Sequence, residues 1–361
     1  MKNSPFMSAV CQLIFCFAMA LPAIAQSGAI QGREDWDGLV RQLEAGTDPF
    51  EIIDAWRSGP PATGDLGTCE PIPVDGLPGL TNDRHYFLSE ILQGDVPLDS
   101  PVCGEQLACF LQQVPGTVHS NATLVIDRQC VSEQTLVLPS RFTLSGVGLA
   151  GEGALVFDLP QGASALRFAD ATGVLNRFSV IRDLTIANAG CCGQTGVEIQ
   201  NSGVVELERV QITGFAIGVY GEYSYSVNIE QSRIFGNGFN IALGFDTTTW
   251  RIRDSTLNQG LLVGLVLGPE SRGNLLSAGR VESNRFTGVL VFGHFNTVEH
   301  TWLEGNGGPS LDGIKIGASA MRNRILGNLI SKEEVSLGHP SNEICFSTGL
   351  GLELPDTCNI D

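Results

Sequence analysis

Apolar residues recur through the second half of the chain in columns that keep a fixed relation to one another. Each unit has two short strands of alternating apolar and polar residues, and their central apolar residues are five positions apart. This offset holds in seven units, while the step between units varies between 22 and 27 residues. The paired positions are Ile181/Ile186, Leu207/Ile212, Ile229/Ile234, Ile252/Leu257, Leu276/Val281, Val298/Leu303 and Ile325/Ile330.

A third apolar strand follows the pair in every unit. These strands read Val197-Glu198-Ile199, Ile217-Gly218-Val219, Ile241-Ala242-Leu243, Leu265-Val266-Leu267, Val289-Leu290-Val291, Ile314-Lys315-Ile316 and Val335-Ser336-Leu337. One such unit cannot bury its own apolar face, but units stacked in register bury a continuous core. The pattern therefore predicts an all-β fold, a right-handed parallel β-helix solenoid. A leucine-rich solenoid would show a fixed Leu/Asn skeleton, and a β-sandwich would not keep the five-residue offset.

The bends of the predicted coils carry small and polar residues. One bend column reads Ser232, Ser255, Gly279, Thr301 and Asn328. Glycine and asparagine, which tolerate positive φ, cluster at other bends such as 236–238 and 306–308. We expect the first column to form a ladder of hydroxyl and amide hydrogen bonds with a structural role.

The composition changes along the chain and divides it into three parts. Residues 1–25 combine Lys2, an apolar run and Ala23-Ile24-Ala25, which is typical of a cleaved signal peptide. Residues 26–118 are interpreted as a disulfide-bearing helical N-terminal cap. Helical spacing is found at 36–44, 50–57, 83–93 and 103–113. Residues 119–361 would form the β-helix and a C-terminal cap.

Cysteine content and charge limit the function classes. Eight cysteines follow the signal segment, an even number that favours disulfides in a secreted, extracellular or periplasmic protein. The adjacent Cys191 and Cys192 could pair with each other or with distant partners.

The formal net charge is −18, so a nucleic-acid partner is not expected. No stretch beyond the signal segment is apolar enough to span a membrane. The acidic balance disfavours long-range attraction of a polyanionic polysaccharide, although a local arginine cluster or a bridging calcium ion could still bind one.

The columns make residues 119–340 resemble the pectin-lyase-like superfamily of right-handed parallel β-helices. That superfamily consists mostly of extracellular enzymes acting on polysaccharides, so the resemblance implies a glycan as partner. The sequence departs from its catalytic motifs. It contains no Asp-Asp pair, Gly293-His294-Phe295 only partly matches Gly-His-Gly, and Asp48-Pro49 precedes Phe50 instead of His-Asp.

Alignment of the columns brings one group of site candidates together. Glu282 and Glu304 fall on adjacent rungs, as do Arg280 and Trp302, and Glu299 and His300 lie at the bend before Trp302. We predict Glu282, Glu304, Arg280 and His300 as catalytic candidates. Trp302, Arg285, Asp312 and Glu299 are the substrate-binding candidates. An indole can stack on a pyranose, and carboxylates can act as acid and base.

Two interpretations of the function remain open. The first is a polysaccharide-binding or polysaccharide-processing protein, lyase-like or hydrolase-like if it is catalytic. The second is a non-catalytic surface, adhesion or structural module with ordinary solvated ion pairs. No metal site is predicted, although paired carboxylates could share calcium. The outward positions Ala242, Val266 and Leu290 form an apolar patch that is predicted to be covered by a loop or to mediate self-association.

Overall fold

The computed structural model describes residues 33–58, 85–92, 100–113, 121–148, 153–168, 176–189, 193–307, 312–331, 333–345 and 348–350. Within these residues the chain forms a parallel solenoid, and the predicted fold is confirmed. Each coil contributes short strands to three sheets, and each strand pairs in parallel with the corresponding strand of the next coil. The predicted signal peptide, Cys69, Cys191, Cys192 and Cys358 lie outside the described residues.

Sheet 1 is built from the third apolar strand of each unit. Its strands are β4 (Leu136–Leu138), β7 (Ser164–Phe168), the first part of β10 (Thr195–Glu208), the first part of β12 (Ile217–Tyr225), β15 (Phe239–Leu243), β19 (Val263–Leu267), β22 (Thr287–Val291), β25 (Asp312–Ile316) and β28 (Glu334–Ser336). β10 and β12 continue through the following bend and connect sheet 1 to sheet 2.

Sheet 2 carries the first strand of the five-residue pair. It contains β1 (His85–Phe87), β2 (Thr123–Ile126), β5 (Thr143–Gly146), β8 (Asn176–Arg182), the second parts of β10 and β12, β13 (Asn228–Glu230), β16 (Thr247–Thr248), β17 (Arg251–Arg253), β20 (Leu275–Ser277), β23 (Thr297–Glu299), β26 (Arg324–Leu326) and β29 (Glu343–Cys345).

Sheet 3 carries the second strand of the pair. It contains β3 (Cys130–Ser132), β6 (Ala154–Phe157), β9 (Thr185–Asn188), β11 (Gln211–Thr213), β14 (Arg233–Phe235), β18 (Thr256–Asn258), β21 (Arg280–Glu282), β24 (Trp302–Glu304), β27 (Leu329–Ser331) and β30 (Thr348–Leu350). The two columns with the five-residue offset point into the core, where nearly every member is fully buried.

Polar ladders close the bends of the solenoid. In the predicted column, the backbone N–H of Ser232 donates to Ser255 Oγ at 3.1 Å, and the N–H of Thr301 donates to Asn328 Oδ1 at 2.9 Å. A second ladder of buried asparagines comprises Asn274, Asn296, Asn323 and Asn342, each accepting from the backbone of the preceding coil at 2.9–3.0 Å. These bonds satisfy backbone donors that the bends leave outside the sheets.

Four helices occur in the described N-terminal part. They are α1 (Arg33–Glu44), α2 (Pro49–Arg57), α3 (Leu88–Ile91) and α4 (Val102–Gln113). Asp48 caps α2 by accepting from the N–H of Phe50 at 2.9 Å. α3 and α4 pack at the first coils, where Cys103 is disulfide-bonded to Cys130. Cys109 and Cys345 are also disulfide-bonded.

α1 and α2 lie along the side of the solenoid, on the outward face of sheet 1. Leu43, Ile52 and Ile53 pack there against the apolar patch formed by Ala242, Val266 and Leu290, whose exposure falls to between 0 and 3%. The patch is therefore covered by two helices of the same chain, where the sequence predicted a loop or a second copy. Self-association through these three residues would require the helices to leave.

One position of sheet 1 differs from the predicted alignment. The sequence aligned Gly218 with the outward residue Glu198, but the register pairs Glu198 with Tyr220 and Val197 with Val219. A Cβ atom on Gly218 would lie 2.6 Å from the carbonyl oxygen of Asn240 and 2.7 Å from the Cγ2 of Ile234. Gly218 therefore belongs to a crowded position before the inward strand, and Tyr220 takes the outward position.

Candidate functional site

The outward face of sheet 3 brings an arginine, an indole and two carboxylates together. The register pairs Arg280 with Trp302 and Glu282 with Glu304 on adjacent rungs. The guanidinium of Arg280 lies 5.3 Å from the centroid of the Trp302 ring, and its Nε is 3.0 Å from an oxygen of Glu282. The alternation of the strands creates this arrangement, since Val281 and Leu303 point inward and are fully buried.

This arrangement offers the groups that a sugar needs. Trp302 is 38% exposed although it lies on a strand, so part of its ring is open to a ligand. Glu304 is exposed, whereas the side chain of Glu282 retains only 20% of its accessible surface and is already paired with Arg280. An indole supplies an apolar platform, and carboxylates and a guanidinium supply acceptors and donors for hydroxyl groups.

The remaining predicted site residues lie at the two margins of sheet 3. Glu299 ends β23 of sheet 2, and His300 follows at a bend with φ 48° and an exposed side chain. Arg285 lies at the opposite corner, where it forms an ion pair with Asp37 of α1. Arg285 therefore anchors α1 to the solenoid in this structure. Asp312 begins β25 of sheet 1, and its side chain lies outside the described part.

A second arginine–aromatic pair lies on the same face and was missed from the sequence. Arg233 and Phe235 flank the inward Ile234 on β14, and the Arg233 guanidinium lies 4.2 Å from the Phe235 ring centroid. Thr256 separates Arg233 from Arg280 in one column of sheet 3. The signal was present in the sequence as an Arg-x-aromatic strand in register with Arg280.

A buried ionic network on sheet 1 was also missed. Arg57, the last residue of α2, donates to Glu198 at 3.1 Å and to Glu222 at 3.4 Å. Glu198 also accepts from the Ser164 hydroxyl at 2.7 Å and lies 3.4 Å from Arg167 Nε. The two carboxylates are thus neutralised by two arginines, and the network fastens α2 to the solenoid.

Tyr220 forms the floor beneath this network. The Arg57 guanidinium carbon lies 3.7 Å from its ring centroid. Burial raises the pKa of the Tyr220 hydroxyl, and the nearby Arg57 opposes that rise. The phenol therefore stays neutral, and the network contains balanced charges with no free acid or base.

A separate buried carboxyl ends a third polar ladder at Glu333. Asn284 Oδ1 accepts from the N–H of Gly260, Asn306 Oδ1 accepts from the N–H of Asn284, and Glu333 accepts from the N–H of Asn306. Burial raises the pKa of Glu333 to about 7, while the hydrogen bonds from Asn306 oppose the rise. Among the described residues no group of three or more His, Cys, Asp or Glu is arranged to hold a metal ion.

The family model for right-handed β-helix regions matches residues 162–336. No curated protein matches the chain in sequence. None of the described helices has the length and hydropathy needed to cross a membrane.

Solved structures share the architecture at low identity. The Dettilon tailspike protein is 12% identical with a TM-score of 0.54, over 74% of this chain and 62% of the tailspike chain. The chain therefore spans less than two thirds of that protein's length. A DFA-IIIase from Arthrobacter chlorophenolicus A6, solved in complex with GF2, is 13% identical with a TM-score of 0.54, over 69% of this chain and 71% of that chain. At such identity the likeness shows the fold.

Proposed function

Because this chain is a right-handed parallel β-helix protein, we propose that it binds polysaccharide on the outward face of sheet 3. The observation that carries the proposal is the Arg280–Trp302 pair, with its indole 38% exposed and its guanidinium beside it. An exposed indole beside a guanidinium offers a sugar an apolar platform together with hydrogen-bond donors for its hydroxyl groups. The resemblance to a superfamily that mostly acts on polysaccharides supports the choice of ligand.

Binding is favoured over turnover at this face. A catalytic pair of carboxyl groups needs one acid and one base with different environments. Glu282 is ion-paired with Arg280 at 3.0 Å, and Glu304 stands in solvent. Neither carboxyl has the apolar surroundings that keep a general acid protonated, so the catalytic roles of Glu282, Glu304, Arg280 and His300 remain the second part of the proposal.

The proposed setting is outside the cytoplasm, after removal of residues 1–25. The Cys103–Cys130 disulfide supports this setting, because such bonds persist in oxidising compartments. The proposal does not require a calcium ion shared by Glu282 and Glu304, and the binding experiment tests for one by comparing samples with and without calcium.

The test is a glycan array combined with a polysaccharide depolymerisation screen, each with and without calcium. We expect binding that is lost in Trp302→Ala and kept in Leu329→Ala, which removes an apolar side chain from the next rung of the same column. New chain ends that disappear in Glu304→Gln would establish turnover. Binding that is unchanged in Trp302→Ala would exclude sheet 3 as the site.

A further inference from the structure

The bend between sheets 1 and 2 carries a line of exposed aromatic side chains. Of the five aromatic residues that are exposed between residues 121 and 350 of the described part, four lie on this bend. We call it the aromatic edge, formed by Phe178, Tyr223, Phe245 and Phe295, which are 53%, 44%, 51% and 52% exposed. The fifth exposed ring is Trp302 of sheet 3.

Phe178 and Phe295 occupy one column of this bend, whereas Tyr223 and Phe245 lie three and four residues before that column on their own coils. The pairing runs from Arg177 through Gly203, Tyr225, Thr248 and Arg272 to His294, so that Phe178 and Phe295 are five rungs apart. At one rung per ~4.8 Å, the edge is about 24 Å long. Tyr223 and Phe245 stand on its two central rungs with ring centroids 5.3 Å apart. Two rungs, about 10 Å, separate this central pair from each end ring.

The backbone at these rings is strained. Phe178, Tyr223 and Phe295 have φ values of 62°, 48° and 58°, in the left-handed region that disfavours residues with a Cβ atom. Gly273, one rung before Phe295, occupies the equivalent position with φ 63° without that cost. An exposed phenylalanine in this conformation costs conformational energy and leaves apolar surface in water. The same conformation recurs at Val204, Ser226 and Thr249 of this bend, so it belongs to the bend and not to the rings alone. The exposed apolar surface of the rings is not compensated by burial, and neighbouring exposed apolar groups mark a contact surface.

Cationic side chains accompany the rings. The Arg141 guanidinium lies 5.6 Å from the Phe178 ring centroid, and that of Arg322 lies 5.4 Å from the Phe295 ring centroid. Arg177 is exposed on the same bend and Arg251 is exposed at the start of β17 in sheet 2, and neither forms an ion pair with any described residue. Asp246 is an exposed carboxylate at the centre. Arg141 and Arg322 thus place a cation beside each end ring of the aromatic edge, and such cations complement an anionic ligand.

We propose that the aromatic edge binds an acidic polysaccharide extended parallel to the solenoid axis. The end rings and the central pair provide three platforms for sugar faces, spaced for every second sugar of an extended chain. Arg141 and Arg322 bind carboxylate or sulfate groups beside the end platforms. This site goes beyond the proposed function, because it lies on a different side of the solenoid from sheet 3.

The test measures affinity for polygalacturonate, with dextran as the neutral polymer and vesicles containing phosphatidylglycerol as the alternative anionic surface. Phe178→Gly and Phe295→Gly remove a ring and relieve the positive φ. Each is expected to raise the Kd for polygalacturonate about three- to tenfold while the melting temperature stays equal or rises. Thr249→Gly is the matched control, since Thr249 has φ 56° in the same bend column but no ring.

Three results would overturn the proposal. The first is an unchanged Kd for polygalacturonate in the double variant Phe178→Gly/Phe295→Gly. The second is a loss of polygalacturonate affinity in Thr249→Gly equal to that in the phenylalanine variants. The third is that the phenylalanine variants lose binding to the vesicles but keep their affinity for polygalacturonate. Equal affinity for dextran would remove the acidic specificity. Trp302→Ala separates the two sites. A loss of binding in that variant alone would overturn the aromatic edge and keep the site on sheet 3.

Discussion

The guanidinium carbon of Arg57 lies 3.7 Å from the ring centroid of Tyr220, so the last residue of α2 is seated on the outward face of sheet 1. Arg57 reaches across 141 residues of sequence to Glu198 and across 165 to Glu222. The side chain of Arg57 retains 21% of its accessible surface and that of Glu198 retains 9%, so these interactions are only weakly screened by solvent. This contact fixes one end of the two-helix cover, and the Asp37–Arg285 ion pair fixes another point.

Replacing Arg57 by alanine should loosen the cover while the solenoid stays folded. Loss of the cation leaves Glu198 buried with only Arg167 and Ser164 as partners, which should cost about 2–4 kcal/mol. Hydrogen exchange of amides 33–57 is expected to accelerate, while amides of β15 and β19 remain protected. Arg41→Ala, on the exposed side of α1, is the control. Equal exchange in wild type and Arg57→Ala would show that the apolar contacts alone hold the helices.

The asparagine ladder should be the most sensitive polar feature of the coils. Asn296 is 1% exposed, and its Oδ1 accepts from both the backbone N–H and the Nδ2 of Asn274 at 3.0 Å. Asn296→Ala leaves these donors buried without an acceptor, so the free energy of unfolding should fall by about 2–4 kcal/mol. Urea denaturation measures the loss. Asn228→Ala, on the half-buried outward side of β13, should change it by less than about 0.5 kcal/mol.

Most of the solenoid could be predicted because its repeating signal is local. The offset of five residues between Ile252 and Leu257 spans one two-residue bend, and that spacing is independent of the loops elsewhere. Sheet 1 follows connections of variable length, so the alignment at Gly218 slipped by two residues. The pairing of Arg280 with Trp302 was predicted correctly because both belong to the locally anchored strands.

The ionic contacts of the helices and the exposed rings of the bends depend on tertiary contacts that no local sequence pattern encodes. The role of Arg57 follows from where α2 docks, and the spacing within residues 50–57 predicts a helix without its destination. The position of Arg285 beside Asp37 has the same origin. Phe178 and Phe295 lie in bends outside the apolar columns, where only the backbone conformation distinguishes an exposed ring from a buried one.

Ligand binding on sheet 3 should be reported by the fluorescence of Trp302. Trp250 is fully buried, and Trp36 and Trp56 pack against each other with ring centroids 5.5 Å apart. A polysaccharide that stacks on Trp302 displaces water from the one exposed indole, so the emission should shift to shorter wavelength. Trp302→Phe should abolish the shift, whereas Trp36→Phe should retain it. A shift that persists in Trp302→Phe would locate the ligand elsewhere.

The stability of the last coils should fall as the pH rises, because Glu333 is buried as a neutral acid. Its pKa is about 7, against an ordinary value of 4.5, and the facing carboxylate of Glu304 adds to the rise caused by burial. A group whose pKa is raised on folding stabilises the folded state fully below the unfolded value. That stabilisation is lost as the pH rises from about 4.5 through 7. In Glu333→Gln the amide oxygen can accept from Asn306 without carrying charge. Urea denaturation at pH 4, 6 and 8 should show this variant gaining stability over wild type only as the pH rises. Glu334→Gln, at the exposed neighbouring position, should follow the wild-type curve. A constant difference between Glu333→Gln and wild type at all three pH values would mean that Glu333 is not buried as a neutral acid.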